Sequence, residues 1–497
     1  MSIFGLSFAI IAVPFGLSTT FYIGFINGQC VAILWGWVIM SILSTCIAAS
    51  LGEICAVYPT AGGVYYWAAL LSNERWAPVA SWTTGWLYLV GNWMSLCAIA
   101  FGGSQLILSA PSLFDQSFVA SPWLVIVVFW ALLVGCLLIN IFGIKLLDTV
   151  NQGCIYWTGL TVIVVIAVIL GMSKEKRDAA FVFTHFDASL SGWPDGWSFC
   201  VSLLQGGYTL TGYGMIAVMC EEVQSPEREV PRAMVLSVIV SGLTGIVYIV
   251  PILFVLPDIV KLLAISNGQP IGFLFRDATG SPIAGLILLL LIIGIDIFAC
   301  VGAMTTASRC AYALARDKAI PGHRHWSVVN TYLGVPLNAL ILSVTVVGLL
   351  GLIYFGSSAA FNAFTGATAI CLSAAFISPV IISVIQRRKH VQQSPYSLGR
   401  YGYFINIISI LWVMFSIILY CMPVSLPVTA SSMNYASIVF CGFAALSVGW
   451  YYAKGREIFS GPPMTMTGIP VADAQDPAVD GKLKMVSNKT GGDCDCD

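Results

Sequence analysis

The sequence predicts an all-α polytopic membrane protein. It has twelve transmembrane helices: a 5+5 inverted-repeat core with discontinuous helices 1 and 6, plus two extra C-terminal helices. Three observations predict this. Of 497 residues, 58% are hydrophobic and only 9% are Asp, Glu, Lys or Arg, against roughly 25% charged in a soluble domain. Apolar runs of bilayer-crossing length recur along the chain. Two of them, the first and the sixth, carry helix breakers near their middle. A net charge of −1 gives no reason to expect nucleic acid as a partner. The partner that the composition does imply is the lipid bilayer.

A helix needs about 20 mostly apolar residues to cross the hydrocarbon core. Runs of this kind place spans at 3–26, 31–57, 79–110, 122–142, 152–172, 197–220, 233–256, 283–308, 336–355, 359–385, 403–423 and 435–453. Their apolar residues run right round the helix, as in helices buried in lipid or in a bundle. The alternating ten-residue pattern of a membrane β-barrel does not occur. The predicted division is therefore 1–172 as the first five-helix repeat, 173–196 as an extracellular loop and 197–385 as the second repeat. Residues 403–453 form helices 11 and 12, and 454–497 a cytoplasmic tail expected to be disordered.

Lys and Arg set the orientation. With both termini in the cytosol, 17 fall on the inner side and five on the outer: Lys174, Lys176, Arg177, Lys261 and Arg276. This is the positive-inside pattern, and it requires an even number of spans. The first basic residue is Arg75, so a cleaved signal peptide with a charged n-region is not expected. The 15 Cys sit mostly alone in apolar runs and do not read as a disulfide framework. Cys494 and Cys496 in the acidic end could bind a soft metal, but a tail end is the plainer reading. No cofactor is expected.

The break in span 1 reads Pro14-Phe15-Gly16-Leu17-Ser18. Pro14 removes a backbone donor and Gly16 admits unusual dihedrals. Span 6 reads Gly206-Gly207-Tyr208-Thr209-Leu210-Thr211-Gly212-Tyr213-Gly214, four glycines in nine residues. Gly and Pro also serve ordinary helix packing in membranes. Their matched positions in spans 1 and 6, where an inverted repeat places equivalent helices, favour a mid-membrane binding site. Half-helix N-termini would meet a carboxylate, freed carbonyls a cation. Neither break holds an acid or a base. Phe15, Tyr208 and Tyr213 could shape the pocket and face an ammonium group.

Asp296 is the one ionisable residue well inside an apolar span. Its i+3, i+4 and i+7 neighbours Ala299, Cys300 and Ala303 form a small-residue face that turns it into the bundle. Proton carriage and a structural hydrogen bond are both open to it. Glu53, near the inner end of span 2, is read as a gate or proton relay, or equally as an interfacial anchor. Thr305 and Thr306 near the inner end of span 8 are candidate sodium ligands, against the commoner back-bonding within a helix. The four His lie in predicted loops, and no arrangement typical of intramembrane catalysis appears.

At these residues the chain resembles a family. Glu53 to Trp67, EICAVYPTAGGVYYW, is similar to the signature between spans 2 and 3 of the amino acid–polyamine–organocation superfamily. Leu203 to Ala233 resembles span 6 and the following loop of its fungal amino acid/choline transporter family, the GABA and amino acid permease type. Thr306 to Asp317, Gly334 to Asn338 and Leu426 to Thr429 resemble further motifs, in register over the membrane part. The resemblance implies a plasma-membrane carrier that holds its substrate at the breaks in spans 1 and 6, generally as a proton symporter. Many relatives have an Asp and a His where this chain has Gly214 and Val218, which argues against a cationic substrate. The expectation is a secondary active transporter for an amino acid or GABA-like zwitterion, coupled to protons or else to sodium. The alternatives are a choline or polyamine permease and a non-transporting nutrient sensor.

Overall fold

The structure is a computed structural model describing residues 11–60, 62–143, 147–223, 225–265, 269–330, 334–355, 360–392, 394–429 and 433–462. The start of span 1, most of the tail and the Cys494/Cys496 pair lie outside the described residues, as do the side chains of Val218, Glu221 and Glu222.

Ten helices among the described residues are long and apolar enough to cross a membrane. They are Gln29–Val57, Ala77–Ser112, Pro122–Phe142, Gln152–Met172, Pro226–Phe254, Pro282–Arg316, Leu337–Phe355, Ala360–Ile385, Gly399–Leu419 and Ala436–Ile458. These are spans 2–5 and 7–12. Spans 1 and 6 are missing from that set because neither is one continuous long α-helix. Short helices Val64–Leu70, Ala179–Thr184, Ile259–Ile265, Pro270–Thr279 and His323–Trp326 lie between spans. Spans 4 and 8 begin alike: Ser121 accepts from the Leu124 N–H and Ser281 from the Ala284 N–H, each followed by Pro at the first helical position. Ser as N-cap and Pro at N1 satisfy or remove donors that have no partner inside the helix.

The packing repeats when each span is exchanged for the one five places on. Spans 1 and 6, 2 and 7, and 3 and 8 pair with their own counterparts. Span 3 packs against 10 as span 8 packs against 5, and span 3 against 4 as span 8 against 9. Span 3 is the most enclosed, with 83% of its apolar window buried, whereas only 17% of span 12 is buried. The core is thus centred on span 3, and spans 1, 6 and 8 surround its middle.

The interruptions fall close to, but not on, the residues that announce them. Span 1 breaks at Ala12, which sits in the left-handed region at φ 43°, and a new helix runs Val13–Ile26. Proline is at home in a first turn and obstructs the turn before it. The break therefore precedes Pro14 instead of coinciding with it. Span 6 runs as helices Asp195–Ser202 and Leu204–Thr209, then as a 3₁₀ segment, Leu210–Glu222. Such segments seldom exceed three or four residues. The change of winding falls within the glycine-rich stretch.

Candidate functional site

The interrupted spans approach each other at Gly16 and Thr209. A Cβ on Gly16 would stand 2.6 Å from Thr209 Cγ2, so only glycine permits this approach. Beside it lies a narrow cavity with only about 20 Å³ of free volume, room for about one water molecule in this conformation. Span 1 contributes Ile11, Ala12, Phe15 and Gly16. Span 6 contributes Tyr208, Thr209, Thr211, Gly212 and Met215. Span 3 adds Ser95 and Ile99, and span 8 adds Ala299. No charged side chain lines it. The start of the Val13 helix faces this space, and first-turn N–H groups attract anions. Thr209 donates to the Gln205 carbonyl (2.8 Å) and Thr211 to the Tyr208 carbonyl (2.7 Å). Their hydroxyl oxygens therefore have only lone pairs left to offer a ligand. The Tyr208 hydroxyl is buried with no partner.

Six of the eleven residues expected at the breaks line this cavity: Phe15, Gly16, Tyr208, Thr209, Thr211 and Gly212. The other five serve packing. Ser18 donates to the Pro14 carbonyl (2.5 Å) and meets the Tyr248 hydroxyl at 2.8 Å. Leu17 is fully buried in the core. Tyr213 packs on Phe376 with ring centroids 5.4 Å apart, and Gly214 faces the same ring. The sequence reading missed Ile11, Ala12, Ser95, Ile99, Met215 and Ala299, because a lone Ser or a small or aliphatic residue in an apolar span carries no signal of its own.

Asp296 is completely buried, and neither carboxyl oxygen has a hydrogen-bond partner. It lies one turn along span 8 from Ala299 of the cavity wall. Opposite it is Gly103, one turn along span 3 from Ile99, and a Cβ there would overlap the carboxyl. Tyr208, Cys136 and Cys300 are within its electrostatic reach. Buried polar groups are nearly always bonded, so an orphan of this kind calls for an explanation.

The other coupling candidates are hydrogen-bonded to neighbouring groups. Glu53 is buried, and both its oxygens accept from Arg388 Nη2 at 2.6 Å. The Leu398 N–H donates to Glu53 Oε1 (2.9 Å), and Ser394 donates to the Glu53 carbonyl (3.0 Å). Thr305 donates to Asn140 Oδ1 (2.7 Å) and to the Val301 carbonyl (2.9 Å). Thr306 donates to the carbonyls of Gly302 and Ala303. Among the described residues no group of three or more His, Cys, Asp or Glu could hold a metal ion.

A membrane bundle whose two interrupted spans enclose a small cavity defines a solute carrier. The comparisons supply the family: a family model described as amino acid permease matches residues 1–444. A polyamine transporter of Saccharomyces cerevisiae is 33% identical over 484 residues, 96% of this chain and 78% of its own. An amino-acid permease of Arabidopsis thaliana is 34% identical over 474 residues, 92% of each chain. A choline transporter of Saccharomyces cerevisiae is 30% identical over 461 residues, 92% of this chain and 81% of its own. The chain belongs to the amino acid permease family, within the amino acid–polyamine–organocation superfamily, and is a transporter of small molecules and not an enzyme.

Proposed function

We propose that this permease moves an amino acid or GABA-like zwitterion by alternating access, taking a proton with it through Asp296. The supporting observation is the uncharged cavity between the two interrupted spans, with a helix start on one side and a partnerless carboxyl one turn away. The substrate carboxylate would sit against the first turn of the Val13 helix. Its ammonium would meet the oxygens of Thr209 and Thr211 and the ring of Phe15 or Tyr208. Binding would favour rocking of spans 1, 2, 6 and 7 against the rest, each repeat, 1–172 and 197–385, giving its first two spans to the moving bundle. We place the carrier in the plasma membrane, as its family resemblance implies, with both termini in the cytosol on the distribution of Lys and Arg.

A second reading has its own support. A cationic amine would pair with an ionised Asp296, and two relatives are named as polyamine and choline transporters. One experiment separates the two. In cells lacking their own permeases, unlabelled amino acids, GABA, choline and polyamines compete against uptake. Competition by zwitterions and stimulation by an inward proton gradient support the first reading. Competition by choline or polyamines alone overturns it, and stimulation by sodium alone would return attention to Thr305 and Thr306.

A further inference from the structure

A second polar cavity, of about 180 Å³, lies at the far end of span 3 from Arg75. Gln105, Ser109 and Ser112 of span 3 line it with Gln269, which precedes the Pro270–Thr279 helix, and Tyr354 at the end of span 9. Ser109 is ten residues beyond Ile99 of the central cavity, about 15 Å along the helix. Asp296 and Gly103 lie between the two.

The hydrogen bonds determine what this cavity can offer. Ser109 donates to the Leu106 carbonyl (2.7 Å), and Ser112 donates to the Phe118 carbonyl (3.4 Å). Gln269 donates through Nε2 to Gln105 Oε1 (2.8 Å). Gln269 is only 2% exposed, yet its Oε1 has no partner. A buried acceptor left without a donor is costly. The Ser109 and Ser112 hydroxyl oxygens, whose protons are already donated, and the unpartnered Gln269 Oε1 therefore present lone pairs, beside two donor groups, the Gln105 amide nitrogen and the Tyr354 hydroxyl. No basic side chain lines the cavity to receive a carboxylate. An ammonium group matches it from the other side, since it brings several donors and no acceptor. The Tyr354 ring adds a face for the cation.

We propose that this cavity is a second site, which holds the ammonium group of an organic amine in line with the central cavity. The proposal deepens the reading of the chain as a carrier of amine-bearing solutes. Its test does not depend on uptake. Ser112→Cys is made in the full-length protein, purified in detergent, with the exposed Ser117→Cys as reference. Each is reacted with 2-aminoethyl methanethiosulfonate, which carries an ammonium, and with its sulfonate analogue. Rates are read by mass spectrometry of the peptide concerned.

After normalising to Ser117→Cys, the ammonium reagent should be favoured about tenfold at Ser112→Cys, the worth of one charge-assisted hydrogen bond. Adding Gln269→Leu should erase most of that preference. Ser109→Cys is the second reporter should Ser112→Cys fold poorly. Equal normalised rates, no reaction at either position, or a preference that survives Gln269→Leu would overturn the proposal. Loss of uptake with the preference intact would count against the central-site reading alone.

Discussion

Asp296 and Glu53 are both carboxylates buried in an apolar protein, and their surroundings are opposite. Glu53 has Arg388 on both oxygens, an N–H from Leu398 and a serine on its own carbonyl. Asp296 has no hydrogen-bond partner, and the close wall opposite it is the bare backbone of Gly103. A buried charge fully matched by partners fixes a structure, whereas a buried carboxyl left unmatched is free to bind a proton or a ligand. The first clasps the inner end of span 2 to the segment between spans 10 and 11. The second stands beside the central cavity. We therefore propose a coupling role for Asp296 and a structural one for Glu53.

The sharpest way to break this contrast is at Asp296 itself. Asp296→Asn should insert normally but lose the response of uptake to an inward proton gradient, measured in proteoliposomes. Retention of that response would move the proton elsewhere. Gly103→Leu should abolish uptake in the same assay, since the new side chain must displace the carboxyl or overpack by about 1–3 kcal/mol. Arg388→Ala should act on the fold. Removing one partner of a buried pair costs about 3–5 kcal/mol, read as a fall in melting temperature and in surface abundance. The double change Glu53→Met with Arg388→Met should recover much of that loss, because apolar residues can replace a buried pair.

The twelve spans were legible because a bilayer-crossing helix writes itself as a long apolar run. The two interruptions were legible because Pro14 and the glycines of span 6 are breakers wherever they stand. What sequence could not supply was pairing. Glu53 and Arg388 lie far apart in the chain, so an interfacial anchor, a gate and a salt bridge looked alike. Ala12, where span 1 breaks, has no local signal; it takes a left-handed conformation because Pro14 begins a new helix. Gln269 is an unremarked loop residue until folding brings it against Gln105.

Smaller effects extend the contrast to groups that are already satisfied. Thr305→Val leaves Asn140 Oδ1 without its donor. It should cost about 1–3 kcal/mol, seen in thermal melts, with uptake unchanged by sodium in both forms. At the surface, the Asp187 carboxyl is held below its usual range by the Ser189 backbone and side chain, and by Gln29. A lowered folded pKa gives stability that is present above the unfolded value, near 3.9, and is lost as pH falls through the folded one. Docking of the 173–196 loop should hold at pH 6 and loosen under strong acid, followed by hydrogen exchange. Asp187→Asn should remove that dependence.

The central claim is that substrate is held where spans 1 and 6 meet. The most direct measurement compares initial uptake by Gly212→Trp with the unaltered protein at matched membrane abundance. The filled cavity should leave no uptake above background. Uptake at the normal rate would place the substrate elsewhere in the bundle.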